Sequence, residues 1–89
     1  MSFRHRGLAR YFNRADPRGI APELAARLQR RLRALQAATK PTDLDVPGFD
    51  FHALKGKPKR YSMPINGPWC LTFEWEAGDA WRVDLENYH

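Results

Sequence analysis

The residues with the clearest chemical potential are two histidines, His52 and His89, together with Lys55 and Tyr88. A histidine side chain gains or loses a proton near neutral pH. Cleavage of RNA through its own 2′-hydroxyl needs a base for that hydroxyl, an acid for the leaving oxygen, and cations for the charge on the phosphate. Lys55 can supply a cation, and the ring of Tyr88 can stack on a base. The residue types alone are equally consistent with two other readings: His52 is an ordinary exposed histidine, and Tyr88 and His89 form a frayed chain end.

Further cations are suited to contact RNA without taking part in its cleavage. Lys57, Lys59 and Arg60 follow Lys55 in a basic loop, and Arg82 lies in a later strand. Residues 1–40 carry ten Lys/Arg and two acids, whereas residues 41–89 carry five Lys/Arg and eight acids. An arginine-rich half of this kind is typical of proteins that bind a polyanion or an acidic protein. A basic face that only keeps the protein in solution is the alternative.

Several classes of protein are excluded by the composition. Cys70 is the only cysteine, so an internal disulfide and a CxxC-type metal site are impossible. The three histidines lack the spacing of metal ligands, and no glycine-rich phosphate loop is present, so we expect neither a metal nor a nucleotide cofactor. The chain has no apolar run long enough to cross a membrane and no secretory signal. We therefore expect a cytoplasmic protein without a membrane partner.

The elements that must position these residues are helices first and strands later. The spacing of Leu8, Tyr11 and Phe12 predicts a helix over residues 7–13. A second helix is predicted from Pro22, which suits a first helical position, to about Thr39. Its core stripe is a set of leucines with helical spacing: Leu24, Leu28, Leu32 and Leu35. We expect the arginines around that stripe to meet RNA phosphates or the acids of a partner.

From Phe49 onward, apolar residues alternate with a period of two, which predicts strands over residues 49–54, 61–65, 69–75 and 81–86. Asn66-Gly67 predicts a hairpin, and a turn is expected around Gly78. The set Trp69, Leu71, Phe73, Trp75, Trp81, Val83 and Leu85 should lie against the helices. Matching these apolar faces places Trp75 opposite Trp81, Glu74 opposite Arg82, and Thr72 opposite Asp84. The fold class is therefore α+β, one domain over residues 1–89 with an antiparallel sheet.

The chain also resembles a known family in an ordered set of short motifs. They are Ser2-Phe3-Arg4-His5-Arg6-Gly7-Leu8, His52-Ala53-Leu54-Lys55-Gly56, Tyr61-Ser62, Asn66-Gly67-Pro68-Trp69, Leu71-Thr72-Phe73, Gly78-Asp79-Ala80 and Glu86-Asn87-Tyr88-His89. In this order they resemble the HigB branch of the RelE toxin superfamily over nearly the whole chain.

The resemblance implies a RelE-like fold with two N-terminal helices packed on a curved antiparallel sheet. It implies a toxin that enters the ribosomal A site and cleaves the mRNA there. A HigA-like helix-turn-helix antitoxin would neutralise it, and the toxin would reach operator DNA only through the antitoxin complex. His52, Lys55, Tyr88 and His89 would be the catalytic residues, and the family pattern gives His5 a structural reading.

Two positions depart from the family pattern. Cys70 stands where many relatives have an arginine at the scissile phosphate, and Asn87 stands where relatives often have an aspartate. Cysteine supplies no fixed positive charge, and losing one such group typically slows a reaction about a hundredfold or more. Three functions therefore remain open: a ribosome-dependent mRNA endonuclease, a non-catalytic inhibitor of translation or of gyrase as in the ParE branch, and a nucleic-acid-binding or structural subunit without toxicity.

Overall fold

The computed structural model describes residues 1–87, which form two α-helices followed by four strands. The helices are α1 (Arg6–Arg14) and α2 (Pro22–Ala37), and a 3-10 turn follows at Pro41–Leu44. The strands are β1 (His52–Ala53), β2 (Tyr61–Asn66), β3 (Trp69–Glu76) and β4 (Asp79–Asn87). They form one antiparallel sheet in the order β1-β2-β3-β4, and both helices pack on it. The predicted α+β class is therefore confirmed.

Helix α1 begins at a histidine cap. Nδ1 of His5 accepts a hydrogen bond from the Leu8 backbone N–H at 3.1 Å, which satisfies one of the free N–H groups of the first turn. The helix ends where Ala15 adopts a left-handed conformation, with φ of 54°. His5 therefore has a structural role, as its position in the sequence indicated.

Helix α2 begins and ends near the predicted residues. Pro22 occupies the first turn, and Glu23 lies beside the positive end of the helix. The predicted leucine stripe is buried as expected, with Leu28 fully enclosed. The helix stops at Ala37, two residues before the predicted end, and Ala38 is already extended. Arg31, which the sequence placed on the exposed arc, is also buried.

The strand nearest the predicted catalytic histidine is shorter than expected. A strand was predicted over residues 49–54, but only His52 and Ala53 pair with β2. Gly48 and Asp50 have positive φ values of 91° and 49°, so the chain turns instead of extending there. Three stacked aromatic rings hold the start of β1 against the core. The ring centroid of Phe51 lies 5.4 Å from that of Tyr61, and the centroid of Tyr61 lies 5.6 Å from that of Phe73.

The register between β3 and β4 confirms one predicted pair and corrects two. Thr72 lies opposite Asp84, as expected. Glu74 lies opposite Trp81, not Arg82, and Trp75 lies opposite Ala80. The turn at Ala77-Gly78 has two residues, and a bulge at Arg82, which is in a left-handed conformation, adds one residue to β4. Both predicted pairings at this end were wrong because the bulge shifts every residue between it and the turn.

The bulge also changes the face on which Trp81 lies. Residues directly opposite each other in a sheet point to the same side, so Trp81 shares the face of Glu74 and Ala80 takes its place in the core. The prediction that Trp81 packs against the helices was therefore wrong. The remaining apolar positions of the two strands behave as expected: Leu71, Phe73, Val83 and Leu85 are buried beneath the helices, and Trp69 and Trp75 pack at the core margin.

Candidate nucleic-acid interface

One face of the sheet is polar, and the strand register decides which side chains share it. A row crosses all four strands in the order His52, Ser62, Thr72 and Asp84. Since side chains alternate along a strand, Arg60 and Glu74 lie on the same side, two residues from this row. We call this surface the polar face and count Arg82 in it, because its side chain reaches Glu74.

Arg60 lies on the polar face, and its guanidinium contacts residues of two strands, β3 and β4. Its Nη1 donates to Glu74 at 2.9 Å, and its Nη2 donates to Thr72 Oγ1 at 2.9 Å. Nη2 also lies 3.3 Å from the backbone oxygen of Arg82. Only 16% of the side chain is exposed. The guanidinium is therefore held in one place by partners on β3 and β4, and it belongs to the sheet surface although the sequence placed it in a loop.

Two carboxylates offset the two guanidiniums of the polar face. Glu74 accepts from Arg60 with one oxygen and from Arg82 Nη1 with the other, at 3.0 Å. The hydroxyl of Thr72 donates to Glu86, whose carboxylate lies 3.9 Å from Arg60. Arg82 remains half exposed, so it is the cation of this group that an incoming ligand reaches most readily. The ion pair of Glu74 with Arg82 forms even though their backbones are not opposite each other.

His52 is exposed at the edge of the polar face. Its Nδ1 lies 3.0 Å from the backbone oxygen of Asp50. A carbonyl oxygen can only accept, so in the neutral ring this contact places the proton on Nδ1 and the lone pair on Nε2. Strand spacing puts the backbone of His52 about 10 Å from that of Thr72, the residue that Arg60 contacts. The local geometry thus presents one ring nitrogen as a proton acceptor.

The lysines of the basic loop are all exposed and surround the β1–β2 connection. Lys55, Lys57 and Lys59 lie between Leu54 and Arg60, whose backbones are joined by a hydrogen bond of 2.8 Å. The Lys59 ammonium lies 5.7 Å from the centroid of the Tyr61 ring. These cations therefore stand close in the chain to His52, and none of the ion pairs within residues 1–87 involves them.

The two departures from the family pattern lie near the start of β3 and at the end of β4. Cys70 is buried and lies opposite Pro64 on one side and Glu86 on the other. Asn87 ends β4 opposite Trp69. Tyr88 and His89, which the sequence predicts to be catalytic, lie outside the described residues.

Two groups of the polar face were not identified as site residues from the sequence. Thr72 and Glu86 hold Arg60 through hydrogen bonding and charge. The strand alternation could have found them, because both fall on the same side as Glu74. Ser62 also belongs to the row, and its buried hydroxyl has no hydrogen-bond partner within residues 1–87.

Neither a metal centre nor a membrane span is formed by the described part of the chain. Within residues 1–87, no three His, Cys, Asp or Glu side chains are grouped as metal ligands would be. In the same range, neither helix is long and apolar enough to cross a bilayer.

The fold and the polar face define a small basic α+β protein whose sheet presents an exposed histidine, fixed guanidiniums and a lysine loop. A family model described as the RelE-like toxin of the type II toxin–antitoxin system HigB matches residues 1–89. The chain therefore belongs to the HigB-like toxin family, and this membership implies an antitoxin partner. It is similar to the Endoribonuclease HigB of Proteus vulgaris, with 33% identity over 89 residues, which cover 99% of this chain and 97% of that protein.

Proposed function

We propose that this toxin is an endoribonuclease that cleaves mRNA in the ribosomal A site and thereby stops translation in the cytoplasm. The name of the Proteus vulgaris relative supports RNA cleavage. The observation that carries the proposal is the placement of His52, which is exposed on the same sheet face as Arg60 and Arg82. A proton acceptor and a set of cations on one surface match the needs of cleavage by the 2′-hydroxyl.

In this mechanism, Nε2 of His52 takes the proton of the 2′-hydroxyl, which attacks the adjacent phosphorus. Lys55 offsets the charge that builds on the phosphate oxygens. His89 protonates the leaving 5′-oxygen, and Tyr88 stacks on a base of the codon. Lys57, Lys59, Arg60 and Arg82 contact the RNA backbone. The roles of Tyr88 and His89 come from the family resemblance.

The partner that neutralises the toxin is a HigA-like helix-turn-helix antitoxin in this proposal. The toxin meets operator DNA only as part of that complex. The antitoxin itself follows from family membership.

A reconstituted translation reaction tests the cleavage. Wild-type toxin is added to ribosomes that hold an mRNA with a filled P site, and primer extension locates cuts. We expect cuts in the A-site codon, and we expect His52→Ala and His89→Ala to reduce the rate at least a hundredfold. Arg14→Ala, which removes an exposed cation at the end of α1, should cleave as wild type does. Equal cleavage by wild type and His52→Ala would remove His52 from the mechanism.

A second function is favoured by one observation: Arg60 is already paired with Glu74, and Cys70 supplies no charge. A toxin with this polar face could occupy the A site without cutting. In the same reaction, halted translation with intact mRNA would identify such a blocker. Normal translation with altered plasmid supercoiling would instead identify a gyrase inhibitor. Overexpression without harm, in the absence of the antitoxin, would reject all toxic activities.

A further inference from the structure

Three arginines of α2 line a groove at the edge of the sheet, away from the row of His52. Arg27, Arg30 and Arg31 form one wall, and the opposite walls are the turn at residues 47–50 and the end of β2 at Pro64 and Ile65. The groove has a volume of about 360 Å³. We call it the arginine pocket.

Arg31 is the most unusual residue of the arginine pocket, because its charged side chain is buried. Only 6% of Arg31 is exposed. Its Nη2 donates to the Gly48 carbonyl at 3.0 Å, its Nη1 lies 3.3 Å from the Arg27 carbonyl, and its guanidinium stacks over Phe49 at 4.9 Å from the ring centroid. Its buried Nε has no hydrogen-bond partner among residues 1–87.

Among the described residues that line the arginine pocket, three are arginines and one, Asp50, is acidic. None of the ion pairs within residues 1–87 involves Arg27, Arg30 or Arg31. Burial lowers the pKa of Arg31, and the charges of Arg27 and Arg30 lower it further. A buried guanidinium without a carboxylate is costly, since loss of hydration is not repaid by an opposite charge. On the polar face, by contrast, the carboxylates of Glu74 and Glu86 offset the charge of Arg60.

We propose that the arginine pocket is a docking site for a carboxylate side chain on an acidic segment of a partner protein. Arg30 is exposed and lines the groove beside Arg31, so a carboxylate there would bond to Arg30 and offset the charge of Arg31. Membership of a toxin–antitoxin family implies that the chain has a protein partner, the antitoxin. The inference does not depend on RNA cleavage.

The walls of the pocket favour a protein segment over RNA. Pro47, Phe49 and Pro64 add some apolar surface to a lining that is mostly polar, and a protein segment can place an aliphatic neighbour of the carboxylate against them. Binding an RNA backbone would need a row of exposed cations, but Arg27 already donates to the Ile65 carbonyl at 3.0 Å and Arg31 is enclosed.

An occupant of the pocket would also contact the segment that holds His52. Asp50 belongs to the pocket wall, and its carbonyl oxygen is the partner of His52 Nδ1. Gly48, whose carbonyl binds Arg31, precedes Asp50 by two residues. A partner bound here is therefore placed to affect the segment that orients the candidate catalytic histidine.

Two variants that remove the same charge from the same helix test the proposal. Arg30→Gln alters the pocket, whereas Arg33→Gln alters an exposed arginine that faces a different groove, beside Phe12 and Gln36. Both side chains are exposed, so both variants should fold. The probe is a fluorescent peptide of alternating glutamate and leucine, measured by anisotropy against full-length toxin, with an oligouridylate as the second probe.

We expect Arg30→Gln to weaken peptide binding about tenfold and Arg33→Gln to weaken it less than about twofold. Arg Nε–Hε signals in a ¹⁵N spectrum should shift for Arg30 and Arg31 on peptide addition, and oligouridylate should leave them in place. Equal loss of peptide binding in both variants would overturn the proposal, since it would show a response to net charge alone. An effect of Arg30→Gln on oligouridylate alone would overturn it in favour of an RNA site.

Discussion

Glu74 on β3 accepts a hydrogen bond from Arg60 at 2.9 Å, and both side chains are largely enclosed although both carry full charges. The second oxygen of Glu74 accepts from Arg82. One carboxylate thus connects the segment before β2 to β3 and β4. The arrangement fixes Arg60 in place, and it also lowers the positive potential that an RNA phosphate would meet there.

Replacing Glu74 by Gln should therefore destabilise the fold. Glutamine keeps the size and one acceptor but removes the charge, which leaves the enclosed Arg60 with only the more distant carboxylate of Glu86, at 3.9 Å. We expect the free energy of unfolding to fall by about 2 kcal/mol, measured by urea denaturation. Glu76→Gln, at the exposed end of the same strand, should change it by less than about 0.5 kcal/mol. Similar midpoints for the two variants would mean that the ion pair contributes little.

Most of the fold could be predicted from hydrophobic periodicity. The leucines of α2 and the alternation in β3 place their residues on the correct faces because burial of one face strongly favours one arrangement. The position of Trp81 could not be predicted in this way. It depends on a bulge at Arg82, and a non-glycine residue in a left-handed conformation leaves no pattern in the sequence.

Only those parts of the candidate site that are local in the chain could be identified from the sequence. His52 and the lysines of the loop are local features of the sequence, and the structure leaves all of them exposed. The pairing of Arg60 with Glu74, and the enclosure of Arg31 against Phe49, join residues far apart in the chain. Such contacts depend on how α2 and the turn at residues 47–50 sit on the sheet, which a single sequence does not reveal.

A close backbone contact gives the second stability prediction. A Cβ atom on Gly7 would lie 2.6 Å from the carbonyl oxygen of Gly19, and a Cβ on Gly19 would lie 2.7 Å from Gly7 Cα. Because both neighbours are backbone, α1 would have to move away from the loop that leads to α2. We expect Gly7→Ala to lower the free energy of unfolding by about 2 kcal/mol.

Thermal denaturation followed by circular dichroism measures this effect, with an expected fall in Tm of about 10 °C. Arg10→Ala is the matched control, because Arg10 is exposed in the same helix and alanine favours helix formation. Its Tm should stay close to that of the wild type. A Gly7→Ala protein that melts like Arg10→Ala would show that α1 can shift at little cost.

The β3–β4 turn offers a substitution that should raise stability. Ala77 and Gly78 are the two central residues of the turn, with φ values of 53° and 77°, so both are left-handed as in a type I′ turn. Alanine is strained in this conformation, whereas asparagine adopts it readily. We expect Ala77→Asn to raise the free energy of unfolding by about 0.5–1 kcal/mol, and Tm by several degrees. Ala77→Val should lower both, since a β-branched side chain tolerates positive φ least. If valine and asparagine shifted Tm equally, the strain at Ala77 would not limit the stability of this hairpin.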